Sequence, residues 1–556
     1  MMKKLILRTA ALFCYIIASS QVTNEPLRTK KVDLKSAIPL IEMPSFDLKK
    51  LQKEDATNDL QTKPFRFGYE FTVDLGIKNS GVWEELPNGD RVWRISIASK
   101  DAKTLNFIFD RYELAEGATV HLYNDDRSFM LGAYTNKMNN ENESLGTWIA
   151  DGEKITIEFY EPAKVKGLSK LHIGSVVHGY RSVSNFEAYQ KTLNESGDCN
   201  LDVNCSIGAD FDPLKDKLKK SVAVILSNGI EWCTGTLINN TNNDKAPYLL
   251  TANHCGGKEA NWSFRFNWIS SNTVCASTDN STDNGPGNYY QVTAGATVLA
   301  KNGGTDFKLI EISGGLDPAW DLEWAGWDRT DDFPSYVIGI HHPSGDVMKV
   351  CRDDSGVTKE INNAGGGAAF NAETWEITDA GDGWEQGVTE EGSSGSALFD
   401  PNGRIIGQLF GGRAVCSGTN NNNRLDYYGR LGVSWDIGNT RATRLSDWLD
   451  PANTGETTLD MLSKELTAVS VNDEGLKQGV SVYPNPTTGI LNISNNTQNR
   501  ASYTIYNVVG QNIATGEKIV NENENEKIDI SAKNTGIYFI TITSNNSSFT
   551  KKIIKR

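Results

Sequence analysis

The 556-residue sequence predicts an all-β protein with several domains. Short runs in which apolar and polar residues alternate recur along the chain, for example at residues 92–97 and 155–160, and this period of two is typical of strands. Turn signals such as Pro-Asn-Gly-Asp at residues 87–90 separate these runs. Asn-rich and Gly-rich tracts with many Trp and Tyr residues favour a secreted protein rich in loops. A chain of this length is too long for one compact domain, so three or four units are expected.

Charge and hydropathy exclude some classes of function. The formal net charge of -15 argues against nucleic acid as a partner. No apolar run reaches the length of a membrane span, so none is expected. The amino terminus has basic residues at positions 3, 4 and 8, an apolar run at 10–17 and small residues at 18–20. Residues 1–20 are therefore predicted to be a secretory signal peptide that is cleaved after Ser20.

The cysteines agree with export. Eight are present; Cys14 belongs to the predicted signal, and the other seven lie between residues 199 and 416. Their spacing is not that of metal ligands, so disulfides are the better interpretation, and neither a metal nor a cofactor is predicted. Because seven is an odd number, one cysteine is expected to be free.

Three stretches carry the candidate chemistry. Ser394 lies between Gly392 and Gly395, which leave the backbone bare where a substrate carbonyl would approach a nucleophile. Alone, this pattern is also typical of a flexible hairpin loop. Upstream are His254, in Thr-Ala-Asn-His-Cys, and Asp306, which precedes an apolar run. The chain order His, Asp, Ser is one in which catalytic triads are assembled, so the three residues are predicted to be base, orienting acid and nucleophile.

Six blocks in order between residues 198 and 451 resemble the bacterial lysyl endopeptidases, which are trypsin-like serine proteases. The blocks lie at residues 198–205, 251–255, 324–329, 340–343, 392–396 and 444–451. The resemblance implies a double antiparallel β-barrel closed by a terminal helix. It also implies hydrolysis of protein or peptide substrates on the carboxyl side of lysine.

The resemblance assigns further residues of the site. It implies an oxyanion hole made by the backbone N–H groups of Gly392 and Ser394. Ordinary trypsin relatives have an aspartate just before the nucleophile, which pairs with the new amino terminus; Ser393 stands there, so activation by that ion pair is not expected. Val388 occupies the position of the trypsin pocket carboxylate, and block matching instead makes Asp426 the candidate for binding lysine.

Block matching also implies three disulfides with Cys351 unpaired: Cys199–Cys416, Cys205–Cys275 and Cys233–Cys255. The chain departs from the family at two positions. Ala364 stands where the best-known family enzyme has tryptophan, and Phe410 stands where it has histidine. Because that aromatic–histidine support for the base is missing, turnover, pH optimum and strictness for lysine stay open.

Residues 21–191 are predicted, from their position and the resemblance, to be a propeptide with a β-sandwich from about residue 64. An independent carbohydrate-binding sandwich is the alternative, since sandwiches host many functions. Lys191 is the last basic residue before Cys199, so a lysine-specific enzyme could release its own propeptide there. The protease domain is then predicted at residues 192–462.

Residues 463–479 are polar and are predicted to be a linker. Residues 480–556 resemble the C-terminal sorting domain that the type IX secretion system of Bacteroidetes recognises. Tyr-Pro-Asn-Pro at residues 483–486 and Gly-Ile-Tyr-Phe at residues 536–539 carry this resemblance. It implies a small β-sandwich, the type IX machinery as a partner, and a secreted or cell-surface location after export to the periplasm.

The resulting hypothesis is a monomeric, secreted serine endopeptidase that cleaves after lysine. Two alternatives stay open: a trypsin-like enzyme that also accepts arginine, and a catalytically inactive homologue that acts as a surface adhesin. The intact set of His254, Asp306 and Ser394 argues against the inactive homologue.

Overall fold

The computed structural model describes residues 26–30, 32–58, 65–181, 192–193, 196–279, 281–282, 291–362, 371–377, 383–463, 479–495, 501–507, 512–517, 524–544 and 547–556. The predicted signal peptide, Lys191, Ala364 and most of the predicted linker lie outside these residues. The chain divides into two compact units, Met1–Leu462 and Ser463–Arg556. No helix in the described part of the chain combines the length and the apolar character that a membrane crossing needs.

The first unit begins with a β-sandwich. Its elements are β1 (Leu40–Glu42), α1 (Leu48–Asn58), β2 (Phe65–Arg66), β3 (Gly68–Gly76), β4 (Val82–Glu85), β5 (Arg91–Ala98), β6 (Thr104–Glu113), β7 (Thr119–Tyr123), β8 (Met130–Thr135), β9 (Leu145–Gly146), β10 (Ala150–Asp151), β11 (Lys154–Glu161) and β12 (Lys170–Gly179). One sheet has the order β1-β5-β11-β7-β8 with β4 beside β5, and the other has the order β10-β6-β12-β3 with β9 beside β6. The predicted N-terminal sandwich is confirmed.

The same unit continues into two barrel sheets. Their elements are β13 (Thr192–Leu193), β14 (Leu201–Asp202), α2 (Asp212–Leu218), β15 (Val222–Ser227), β16 (Glu231–Leu237), β17 (Tyr248–Ala252), β18 (Ser263–Phe266), β19 (Ser281–Thr282), β20 (Val292–Ala294), β21 (Ala296–Asn302), β22 (Phe307–Ile312), β23 (Glu323–Trp324), β24 (Gly326–Asp328), β25 (Val337–His341), β26 (Lys349–Asp353), β27 (Val357–Asn362), β28 (Ala372–Ile377), β29 (Ala397–Phe399), β30 (Arg404–Gly412), β31 (Cys416–Ser417), β32 (Asn420–Asn421), β33 (Asp426–Arg430), α3 (Leu431–Ser434), α4 (Ser446–Leu449), β34 (Thr458–Leu459) and β35 (Leu462–Ser463). Short 3-10 turns connect several of them, including Pro343–Gly345.

The two large sheets give the trypsin-like double barrel that the sequence predicts. The first has the strand order β20-β18-β15-β16-β17-β22-β21, and the second has the order β14-β26-β25-β29-β30-β33-β28-β27. The predicted terminal helix is present as α4. The ends of strands from both sheets bring the candidate catalytic residues into one region.

The N-terminal sandwich packs directly on the first barrel. Strand β15 is buried on both faces: Val224 and Leu226 belong to the hydrophobic core of the sandwich, whereas Ala223 and Ile225 belong to the core of the barrel. This alternation is the period of two that a strand imposes. Strand β2 pairs antiparallel with the beginning of β16, so a segment of the N-terminal region joins the protease sheet.

The second unit is a small β-sandwich, as predicted. Its strands are β36 (Val480–Tyr483), β37 (Ile490–Asn495), β38 (Ser502–Asn507), β39 (Asn512–Glu517), β40 (Glu524–Asp529), β41 (Gly536–Ser544) and β42 (Ser547–Lys555). They form a sheet β36-β37-β40 and a sheet β39-β38-β41-β42. The core between the sheets consists of residues from Val480 to Ile553.

Candidate active site

His254 and Asp306 lie at the adjacent ends of two paired strands. Ala252, the last residue of β17, pairs with Phe307, the first residue of β22. The imidazole Nδ1 of His254 lies 2.5 Å from Asp306 Oδ2, and the backbone N–H of His254 donates to Asp306 Oδ1 at 3.0 Å. Asp306 has φ +56°, and its carbonyl accepts the N–H of Asn253 at 2.6 Å. The carboxylate therefore fixes both the ring and the backbone of the histidine.

The other ring nitrogen of His254, Nε2, is not used in the bonds to Asp306. His254 Nε2 is buried, and it has no hydrogen-bond partner within the described ranges. The loop that carries the ring is held by the disulfide Cys233–Cys255, whose second cysteine follows His254 directly. An imidazole held this way can accept a proton at Nε2 while Asp306 stabilises the charge at Nδ1.

Ser394 lies between a tight turn and strand β29. Its carbonyl accepts the backbone N–H of Thr234 at 2.8 Å, which ties it to strand β16 and so to the histidine loop. Gly395 has φ +85°, and a Cβ on it would lie 2.2 Å from Thr251 Oγ1. Only glycine therefore fits beside the serine, because strand β17 of the first barrel lies so close to this residue.

A tight turn at residues 390–393 precedes Ser394. The N–H of Ser393 donates to the carbonyl of Glu390 at 3.0 Å, which closes a four-residue turn. Gly392 is its third residue and has φ +91°, as a type II turn requires. A Cβ at Gly392 would lie 2.8 Å from the backbone nitrogen of Ser344, so no side chain fits there.

Asp426, the candidate for binding lysine, is buried. It begins strand β33 and is 1% exposed. Its Oδ2 accepts hydrogen bonds from Trp384 Nε1 at 2.7 Å and from Thr389 Oγ1 at 2.6 Å. Burial raises the pKa of Asp426 to about 6, although the two donors act in the opposite direction. Val388 is fully buried in apolar surroundings.

One of the two departures from the family can be located. The ring of Phe410 lies 6.3 Å from that of His254 at an interplanar angle of 59°, so an apolar ring stands beside the base. Ala364 lies outside the described residues.

The three expected disulfides are present, and Cys351 is free and buried. Burial raises the pKa of the Cys351 thiol well above its usual value, so it stays protonated. No group of three or more His, Cys, Asp or Glu side chains in the described part of the chain is arranged to hold a metal ion.

Two features near the nucleophile were not found from the sequence. Glu390 is half-buried, and its carboxylate accepts the N–H groups of Gly197 and Cys416 at 2.8 and 3.2 Å. His341 Nδ1 lies 2.8 Å from the hydroxyl of Ser393, the residue before the candidate nucleophile. Both contacts join residues that are far apart in the chain, so no local sequence pattern predicts them.

Comparison with known proteins agrees with both resemblances. Residues 193–429 match the family described as lysyl endopeptidase, C-terminal domain, and residues 481–556 match the secretion system C-terminal sorting domain. A lysyl endopeptidase from Pseudomonas aeruginosa is 27% identical over 365 residues, which cover 62% of this chain and 74% of the relative. The resemblance to a lysyl endopeptidase with a type IX sorting domain is therefore confirmed.

Two solved structures are similar in part. The protease domain of MamO from Magnetospirillum magneticum matches with a TM-score of 0.26 and 12% identity over 40% of this chain and 98% of its own. Deg5 matches with a TM-score of 0.23 and 14% identity over 40% of this chain and 88% of its own. From the family matches and the curated relative, the protein is a protease that is secreted or displayed at the cell surface.

Proposed function

We propose that this protease is a serine endopeptidase that hydrolyses peptide bonds on the carboxyl side of lysine. The observation that carries the catalytic part is the hydrogen bond from His254 to Asp306 together with the unpartnered Nε2 on the same ring. The observation that supports the specificity is the buried carboxylate of Asp426.

The proposed reaction begins with acylation. His254 Nε2 takes the proton of the Ser394 hydroxyl as its Oγ attacks the carbonyl carbon, and the carbonyl oxygen becomes an oxyanion. The N–H groups of Gly392 and Ser394 donate to this oxygen. Asp306 stabilises the imidazolium through Nδ1. The imidazolium then donates its Nε2 proton to the leaving amine, the carbon–nitrogen bond breaks, and an acyl-enzyme remains.

Deacylation repeats these steps with water as the nucleophile. His254 accepts a proton from the water, whose oxygen attacks the acyl carbon. The same two N–H groups stabilise the second oxyanion. Return of the proton to Ser394 Oγ releases the carboxylic acid product with lysine at its new carboxyl terminus, and the enzyme returns to its starting state.

Lysine recognition follows from charge in an apolar site. A lysine ammonium that enters the pocket loses its hydration, so it needs a fixed anion. At the position where trypsin has its pocket carboxylate, this chain has the uncharged Val388. Asp426 supplies a carboxylate instead, and its hydrogen bonds from Trp384 and Thr389 orient it. Gly412 leaves room beside Asp426, since a Cβ there would lie 1.9 Å from Oδ1.

The catalytic assignment is tested with a small fluorophosphonate, which forms a covalent bond with an activated serine. Peptide mapping should place the label on Ser394, and Ser394→Ala should abolish both labelling and peptidase activity, because the triad acts as a unit. Ser417→Ala, which changes an exposed serine on β31, should label normally. A label on another serine, with Ser394→Ala still active, would show that the assignment is wrong.

The pocket assignment is tested with Asp426→Asn. Loss of one partner of a buried charge pair costs on the order of 2–5 kcal/mol, so kcat/KM on lysyl substrates should fall by roughly 30-fold to several thousand-fold. Fluorophosphonate labelling, which makes little use of the pocket, should survive. Asp353→Asn is the matched control, because burial also raises the pKa of Asp353 to about 6, but its Oδ1 accepts from Ser355 and not from Trp384 or Thr389. Unchanged lysyl cleavage in Asp426→Asn would show that a residue other than Asp426 supplies the anion of the pocket.

The remaining assignments concern processing and export. Residues 21–191 are proposed as the propeptide, with release at Lys191 by the enzyme itself, and the mature enzyme as a monomer. The type IX machinery is the proposed partner of residues 480–556, in line with the sorting-domain match. Amino-terminal sequencing of the mature form should begin at or near Thr192, and purified Ser394→Ala precursor should stay uncut.

A further inference from the structure

The turn that carries the proposed oxyanion hole is hydrogen-bonded at three consecutive residues to two neighbouring segments, strand β16 and the segment 341–344. The carbonyl of Glu391 accepts the N–H of Ser344 at 2.5 Å, and the carbonyl of Gly392 accepts the hydroxyl of Thr234 at 3.0 Å. The hydroxyl of Ser393 lies 2.8 Å from Nδ1 of His341, at the end of strand β25. Each residue of the turn is therefore held from outside the turn.

These ties also set the direction of the two N–H groups. A trans peptide group points its N–H away from its C=O. Because the carbonyl of Glu391 is directed at Ser344, the N–H of Gly392 is aimed the opposite way. The carbonyl of Ser393 accepts the N–H of Ser396 at 2.9 Å, which fixes the N–H of Ser394 by the same rule. The turn cannot rotate without breaking these bonds.

The bond between Ser393 and His341 needs no charge. Both side chains are fully buried. Burial lowers the pKa of His341 to about 3, so the ring is neutral at ordinary pH. A serine hydroxyl can donate to a neutral imidazole or accept from it, so the bond forms with either tautomer. An aspartate at the same position would instead be a buried anion that requires a cation, such as a newly released amino terminus.

We propose that His341 is a positioning residue of the reaction, which holds the oxyanion turn in its working form through Ser393 and does so before any new amino terminus exists. This inference rests on the proposed function. In trypsin relatives, an ion pair between an aspartate and the new amino terminus forms after cleavage. The neutral pair of His341 and Ser393 would take the place of that ion pair here, and it is present before cleavage. The uncut chain then already carries a formed oxyanion hole, and maturation is left to change access to the site.

The first test compares His341→Ala with wild-type enzyme. A displacement of about 1 Å at a reacting centre costs on the order of 10²-fold in rate, so kcat should fall by about that factor. KM should change little. Affinity for a peptidyl lysine aldehyde, which forms a tetrahedral adduct with an oxyanion, should fall with kcat, whereas affinity for a simple alkylamine that uses only Asp426 should not. His341→Asn should recover most of kcat, because its amide lies near the position of Nδ1.

His342→Ala is the matched control. It removes the adjacent imidazole, which is equally buried and also has its pKa lowered to about 3, but whose Nδ1 bonds to the carbonyl of Asp346. A merely structural loss should affect both variants alike, so kcat loss confined to His341→Ala supports the proposal. Equal kcat in wild-type enzyme, His341→Ala and His342→Ala would overturn the proposal. An increase in KM without a loss of kcat in His341→Ala would also overturn it. If His341→Ala does not fold, Ser393→Ala removes the bond to His341 together with the bond that its hydroxyl accepts from the N–H of Glu390 at 3.3 Å, and kcat should again fall without a rise in KM.

The second test uses a Lys191→Ala precursor kept uncut. The phosphoryl oxygen of a small fluorophosphonate uses the oxyanion hole, so the precursor should react at Ser394 at a rate close to that of the mature enzyme. Reaction that appears only after cleavage would contradict the proposal. Failure of the mature wild-type enzyme to label would instead count against the proposed function, so the two failures are distinguishable.

Discussion

The two β-sandwiches at the ends of this chain differ in where their cores end. The core of the N-terminal sandwich includes residues of the protease barrels: Val224, Leu226, Trp232, Trp268, Val292, Ala294 and Val347. Among the described residues, the core of the C-terminal sandwich consists of side chains between Val480 and Ile553. From this difference we expect that the N-terminal region folds as part of the protease and that the C-terminal domain folds by itself.

Aromatic contacts show how closely the N-terminal sandwich and the first barrel are joined. The ring of Phe67 stacks on that of Trp232 with centroids 4.9 Å apart, and Trp148 contacts both Trp232 and Trp268. The carbonyl of Gly146 accepts the hydroxyl of Ser263 at 2.8 Å. Without the sandwich, this face of the barrel would expose large apolar side chains to water.

The largest expected effect is that of removing the N-terminal sandwich. A protein that begins at Thr192 and ends at Ser463 should not refold to active enzyme, because one side of its core is missing. Residues 26–181 supplied as a separate chain should restore activity. Full activity of the protease segment after refolding in the absence of residues 26–181 would contradict this expectation.

The next effect is that of a single contact in the shared core. Phe67→Ala leaves a cavity beside Trp232 and should lower the free energy of unfolding of the protease by about 3–5 kcal/mol. Ile505→Ala, in the C-terminal core, should destabilise only the C-terminal transition. Calorimetry of the full chain resolves the two. A shift of the protease transition by Ile505→Ala would break the distinction between the sandwiches.

A smaller effect is expected from pH at the junction of sandwich and barrel. Burial raises the pKa of Glu231 to about 7, although Arg66 and His254 act in the opposite direction. A carboxyl whose folded pKa is raised favours the folded state while it is protonated, so this stability is lost as pH rises from about 4.5 through 7. The protease melting temperature should fall over that range, and Glu231→Gln should flatten the dependence. An equal slope in the variant would assign the effect to other groups.

The smallest effect is that of removing the C-terminal domain. A chain that ends at Ser463 should keep the peptidase activity and melting temperature of the protease, because the described residues of the protease cores all lie at or before Leu462. Export by a type IX host should be lost. A lowered protease melting temperature in the truncated chain would show that the second sandwich is also part of the protease fold.

The sequence predicts the elements that carry their own local signal. Alternating runs predict the strands, and the surroundings of His254, Asp306 and Ser394 predict that β17, β22 and the 390–393 turn meet. Asp426 could be chosen only through the resemblance, because a lone acid in an Asn-rich loop has no distinguishing pattern. Its burial and its two donors supply the physical reason for that choice.

Long-range contacts of short segments could not be predicted. Strand β1 has three residues and pairs parallel with β5, and β2 has two residues and pairs with β16, more than 160 positions along the chain. Such segments are too short to show a period. The bond between His341 and Ser393 spans 52 residues. In the sequence, each of these residues looks like an ordinary buried polar residue with a hydrogen-bond partner in the core.

The central claim is cleavage after lysine by Ser394, and the most direct measurement is mass spectrometry of a denatured protein digested by the purified enzyme. The account predicts that nearly all new carboxyl termini are lysine and that Ser394→Ala under the same conditions produces none. Equal numbers of arginine and lysine termini would contradict the specificity assigned to Asp426. Undiminished cleavage by Ser394→Ala would contradict the mechanism itself.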